Sequence, residues 1–363
     1  MHTGVLALLG SGETAPGMTK VHRELLARRA EGTAITLDTP YGFQENVPQM
    51  TEKLVTYFDV SLHRTIEPVS FRNYDAASPV ERAIVKQRVR EADYVFSGPG
   101  SPSYALGQWG PLGLVDDLEA VLANAGVLCF SSAATLTLGS HTAPIYEIYK
   151  VGETPHWLEG LDLTGRVGLR CAVIPHFDNH EGANYDTRFC YLGERRLELL
   201  ESQLPEDVAT LGIDEHTALL IDLGANEARV IGRGHAYWRH HGDVITLRAG
   251  RPTPLDALRT YLPGTRGTRP ATPANTASGP TDPLALAELV TKGGPAGVEA
   301  LASLVRLASS RPLPDRHDNA LVTAIQALRE SARRSQDYAL ADQLREMLTA
   351  SGFAVSDGAV GTR

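Results

Sequence analysis

The chain has 363 residues, 42% of them apolar and 21% charged, and a formal charge of −9 at pH 7. This is the composition of a folded soluble protein long enough for about two domains. Its net acidity argues against a general nucleic-acid-binding surface, and three cysteines with no CxxC pairing argue against a disulfide framework.

The opening "MHTGVLALLGSG" has an apolar run but no basic stretch before it and no cleavage site after it. No run approaches the length that spans a bilayer, so a cytoplasmic protein is expected. Residues 4–10 read as a buried strand, 21–29 as an amphipathic helix and 33–39 as a second strand, with a helix within 45–58. A charged helical stretch at 79–91 precedes two more central strands, "YVFSG" (94–98) and "VLCFSS" (127–132). Apolar runs without alternation, separated by helices, predict an α/β fold whose mostly parallel sheet is covered on both faces. In the second half "TALLIDLG", "ARVIGRG", "AYWRH" and "DVITLRAG" follow one another across Gly- and Asn-containing turns, which predicts an antiparallel extension of that sheet. Pro, Gly, Thr and Ser then dominate residues 263–283, a linker, and 284–363 is helix-forming throughout. The chain therefore divides into a domain over 1–262, the linker, and a small all-α module.

Three polar clusters fall at predicted strand ends, where open α/β sheets place their sites. They are the turn Ser131-Ser132-Ala133-Ala134, the segment "IPHFDNHEG" with His176, and "GIDEHTA" with Asp214, Glu215 and His216. A serine, a histidine and an acid from three strand ends make a nucleophile, a base and an orienter, and for such a set geometry matters rather than chain order. Taken singly, each is equally an ordinary turn, a structural histidine or a surface acid. A fourth cluster, "SGPGSPS" (97–103), offers backbone N–H groups to an oxyanion; Pro99 has none, which leaves Gly98, Gly100 and Ser101. A competing reading makes His176, Asp178, His180 and Glu181 ligands of a divalent ion, although they match no zinc signature.

In order and spacing, "LALLGSGETA", "PYGFQEN", "VFSGPGSPSYAL", "CFSSAATLTLG", "IPHFDNHEG", "RFCYLGERRLELL" and "LGIDEHTAL" resemble the serine peptidases that include cyanophycinase and the aspartyl dipeptidase. The resemblance implies a class I glutamine amidotransferase-like fold and a serine hydrolase acting on a small peptide or isopeptide amide. It makes Ser132 the nucleophile, His176 the general base and Glu215 the orienter, with Asp214 as the fallback. Gly100 and Ala133 would form the oxyanion hole, and Ser101, Asp178, Asn179 and Arg188 would contact substrate, with Arg195 and Arg196 as further specificity elements. The implied chemistry needs no metal and no cofactor. The family's elbow has Gly-x-Ser-Ala-Gly, whereas this chain has Phe130 and Ala134 in place of the glycines, and Phe130 is expected to point away from the following helix. The altered elbow keeps a second reading open, a catalytically silent binding member of the fold. A glutamine amidotransferase is disfavoured, because the elbow carries serine and Cys129 lies three residues too early.

Residues 327–363 resemble the C-terminal end of bacterial cysteinyl-tRNA synthetases, but no synthetase catalytic motif is present. Charges in 284–363 nearly balance, so contact with tRNA is expected, if anywhere, only through this tail. The remaining expectations are a small peptide or isopeptide substrate, no membrane partner and a homodimer.

Overall fold

A computed structural model describes residues 2–182 and 184–259, which belong to the unit Met1–Gly267. The expected linker (263–283) and helical module (284–363) lie outside the described residues.

The first half alternates strand and helix. β1 (Val5–Leu9), α1 (Thr19–Ala27), β2 (Ala34–Leu37), α2 (Val47–Leu62), β3 (Glu67–Val69), α3 (Pro79–Arg90) and β4 (Tyr94–Ser97) follow in turn. Then come α4 (Pro102–Leu112), α5 (Leu114–Ala123), β5 (Val127–Ser131) and, one residue later, the short α6 (Ala133–Leu136). A small ribbon, β6 (His141–Thr142) with β7 (Leu158–Glu159), and the single turn α7 (Leu163–Arg166) lead to the second half. That half holds β8 (Cys171–Ile174), α8 (Glu194–Glu201), β9 (Ala209–Ile213), β10 (Thr217–Asp222) and β11 (Glu227–Gly232). β12 (Ala236–His240), β13 (Asp243–Leu247), β14 (Thr253–Pro254) and α9 (Leu255–Arg259) complete it.

Eight strands form the main sheet in the order β14-β11-β10-β1-β5-β4-β2-β3. β1, β5, β4, β2 and β3 run parallel, and β10, β11 and β14 add the antiparallel extension beyond β1. The central strands β1, β5, β4 and β2 and their neighbour β10 are buried at every position because both faces are covered. Leu6, Leu8, Leu128 and Phe130 pack with Val89, Trp109, Leu118 and Val121 from α3, α4 and α5. Val5, Ala7, Leu9, Val127 and Cys129 pack on the other face with Val21, Leu25, Leu54 and Phe58 from α1 and α2. The two-residue period of the strand sorts neighbours to opposite cores. Ser78 starts α3 with a capping box, its hydroxyl accepting from Glu81 N–H while the Glu81 carboxylate accepts from Ser78 N–H.

The structure corrects the extension in one respect. "AYWRH" and "DVITL" are not part of the main sheet; as β12 and β13 they join β9 and β8 in a separate four-stranded sheet, order β13-β12-β9-β8. The pair α4–α5 was not foreseen from sequence, because α4 carries Gly107, Gly110 and Pro111, which break the usual helical composition.

Phe130 is fully buried in the core beside Trp109, the ring centroids 6.1 Å apart at 68°. Its place in the elbow is thus occupied by a core anchor. Phe130→Ala should lower stability by about 3–5 kcal/mol, read as a shift in the urea unfolding midpoint at constant slope.

Candidate active site

β1 and β5 lie side by side with Leu9 opposite Ser131, so both chains leave the sheet at the same level. The chain turns there at Ser132, whose φ of 52° and ψ of −121° are strained for any residue with a Cβ. The turn is held from several directions. Ser132 N–H donates to Leu9 C=O (3.2 Å), Ala134 N–H to Gly98 C=O (3.3 Å), and the Thr135 hydroxyl reaches Phe130 C=O (2.7 Å). A strained serine between a strand and a helix is the geometry that presents a hydroxyl at a sheet edge. Here it forms without either glycine.

His176 and Glu215 arrive from the second sheet, directly after β8 and β9. Gly10 links the two sheets: its carbonyl accepts from His176 N–H (3.2 Å), and a Cβ on it would sit 2.0 Å from Asp214 O. Ser132 Oγ and His176 Nε2 are 2.8 Å apart, and His176 Nδ1 and Glu215 Oε1 are 2.6 Å apart. The hydrogen bond from His176 holds the Glu215 carboxyl below the usual carboxylate range, against the effect of burial, and Asn179 adds to it. An ionised Glu215 fixes the proton of the imidazole on Nδ1 and leaves Nε2 free to accept from serine. The side chain of Asp214 turns instead to His235 N–H (2.8 Å) and the Tyr237 hydroxyl (3.1 Å), and burial raises its pKa. The acid beside His176 is therefore Glu215, not Asp214.

Gly100 has φ +145°, and a Cβ there would lie 2.0 Å from Pro40 O, so only glycine fits. Ala133 opens α6. Among the described residues neither the Gly100 nor the Ala133 N–H has an acceptor, which leaves both to serve a ligand.

All four expected substrate contacts make hydrogen bonds within the protein. Ser101 is buried and caps α4, its hydroxyl accepting from Tyr104 N–H (3.2 Å) and bonded to Ser103 Oγ (3.0 Å). Asn179 is fully buried, donates to Glu215 Oε1 (3.1 Å) and accepts from Glu181 N–H (3.2 Å), so its amide is bonded to the acid. Arg188 grips Asp186 through Nε and Nη2 (2.9 and 2.8 Å), and Nη2 also pairs with Glu194 (3.1 Å). Asp178 is exposed, and its Oδ1 accepts from Glu215 N–H (2.6 Å). The metal reading fails on the same bonds. Both His176 nitrogens are occupied, Asp178 holds Glu215 and Glu181 holds the Tyr191 hydroxyl. Among the described residues no three His, Cys, Asp or Glu side chains are grouped to hold an ion.

Two further residues support the elbow. Ser131, fully buried, donates to Glu13 Oε2 (2.8 Å), and Glu13 C=O lies 2.8 Å from Nε2 of the buried His22. Burial pulls the His22 pKa down to about 4 and keeps it neutral. The sequence signal for Glu13 is the segment "GSGETA", in which it looks like any loop acid, and His22 carries none beyond its place in a helix. Burial pushes the Cys129 thiol up to about 12 and shuts it off as a nucleophile.

No family model matches the sequence, and no curated protein is similar to it. Among solved structures, the chain is similar to a peptidase from an acI-B1 Actinobacterium, at 22% identity and a TM-score of 0.55. That match covers 70% of this chain and 97% of the other. A peptidase E candidate from Listeria monocytogenes EGD-e aligns at 13% identity and a TM-score of 0.41, over 68% of this chain and 98% of the other. The first likeness is one of fold, and the described part of the chain has the α/β architecture expected from its sequence, a mostly parallel sheet covered by helices with an antiparallel extension.

Proposed function

We propose that this protein is a serine hydrolase that cleaves a small peptide or isopeptide amide through an acyl-enzyme, in the cytoplasm. The observation that carries this reading is the 2.8 Å contact from a strained Ser132 to His176, itself 2.6 Å from Glu215. The fold it shares with a peptidase agrees with it. Ser132 Oγ attacks the amide carbonyl while His176 Nε2 takes its proton. The Gly100 and Ala133 N–H groups stabilise the oxyanion, and His176 returns the proton to the leaving nitrogen. Water activated by the same histidine then releases the acyl group and restores the serine.

A fluorophosphonate probe reads this directly. Peptide mapping by mass spectrometry should find one labelled serine, Ser132, in the full-length chain. Absence of labelling, or labelling elsewhere, sinks the serine reading.

A further inference from the structure

Beyond the elbow, the strongest backbone anomaly lies in the turn before α8. Phe189, Cys190 and Tyr191 have φ of 60°, 56° and 66°, three successive left-handed residues with no glycine among them. Ordinary side chains avoid this region singly and still more in runs. The turn persists because it is anchored to the loop that carries the base. Phe189 N–H donates to Phe177 C=O (2.9 Å) and Cys190 N–H to His176 C=O (3.0 Å). Its third residue is thereby fixed against His176, with the Tyr191 ring centroid 6.4 Å from the imidazole. The Tyr191 hydroxyl donates to Glu181 Oε2 (2.5 Å). Its ring stacks on Tyr149 at 5.0 Å and 30°, and Tyr149 stacks on Tyr185 at 6.2 Å and 26°. Tyr185 is 55% exposed, so the ladder runs from the base out to solvent.

In amide cleavage the histidine hands the serine proton to the leaving nitrogen, so the leaving group must lie beside the imidazole. We propose that the Tyr191–Tyr149–Tyr185 ladder is the wall that receives the leaving residue, and that it selects an aromatic side chain there. The inference rests on Ser132 being the nucleophile. Aromatic rings gain from offset or edge contact with one another beyond simple burial, which a glycine or a polar residue cannot supply. The strained anchor gives the wall a fixed distance from the base, so that selection and proton transfer share one frame.

The test uses the full-length protein and a dipeptide library, with kcat/KM sorted by the second residue. Aromatic leaving residues should exceed glycine by about 10- to 100-fold, the discrimination a single apolar pocket gives. Tyr191→Ala should erase most of that ratio, while Tyr191→Phe keeps the ring and the ratio. Tyr149→Ala, outside the strained turn, should lower it as well, which separates lost selection from a misfolded turn. A flat profile in the wild type, a library with no cleaved member, or an equal loss on every leaving residue in Tyr191→Ala overturns the inference. Fluorophosphonate labelling of Ser132 distinguishes the two failures. Labelling with a flat profile removes only the wall, whereas no labelling removes the nucleophile.

Discussion

Ser132→Ala should abolish turnover, with kcat falling by about 10³- to 10⁶-fold, the range seen when an acyl-enzyme nucleophile is removed. The variant keeps Ala133, Gly100 and the His176–Glu215 pair, so substrate should still bind, with a dissociation constant close to the KM of the wild type. Folding should be little changed, because alanine has the same Cβ in the same strained turn at φ 52°. Stopped-assay product counting and isothermal titration check the two halves of this result. Turnover above a tenth of the wild-type rate would assign the chemistry to another group.

Glu215→Gln should cost about 10⁴-fold in kcat while leaving the site in place, as when an acid that fixes a histidine tautomer becomes an amide. Glu215 Oε1 accepts from both His176 Nδ1 (2.6 Å) and Asn179 Nδ2 (3.1 Å). A glutamine that turns its NH₂ toward the imidazole forces the ring proton onto Nε2, which can then no longer accept from serine. The pH dependence has a definite sign. The hydrogen bond from His176 holds the Glu215 pKa below the usual carboxylate range in the folded protein. The stability this supplies is complete above the unfolded value and is lost as pH falls through the lower, folded one. Urea unfolding should therefore show wild type more stable than Glu215→Gln at neutral pH, with the gap closing in acid. A gap that stays constant down to pH 2 would mean that the carboxylate charge plays no part.

Much of this site is written locally. Unbroken apolar runs ending in "SS", "PH" and "DE" mark where three strands stop, and strand ends are where a sheet can expose chemistry. What the residues alone leave open is direction. Ser131 and Ser132 are equivalent on paper, but Ser131 belongs to β5, and its hydroxyl turns to Glu13, while Ser132 starts the turn. Asp214 and Glu215 differ in the same way, one facing Tyr237 and the other His176. Asn179, Ser101 and Arg188 bond to neighbours in the protein, and a polar residue beside a motif looks the same in sequence whether it meets a ligand or a neighbour. For Arg188 a signal existed, since Asp186 is two residues away. The second sheet was hidden for a different reason. Antiparallel strands such as β12 and β13 carry no mark of which edge they join, and only the pairing of β12 with β9 settles it.

The division of the site between two sheets has a consequence for how activity relates to integrity. Ser132 leaves β5 of the main sheet, whereas His176 and Glu215 leave β8 and β9 of the smaller one. Each sheet holds its own residues through its own ladder, and the 2.8 Å between Ser132 and His176 is set by how the two meet at Gly10. That contact is thus a gauge of the seam. A disturbance that slides one sheet by an ångström leaves every ladder intact but would silence the proposed hydrolase, so loss of turnover would report the fit between halves well before it reported the loss of either.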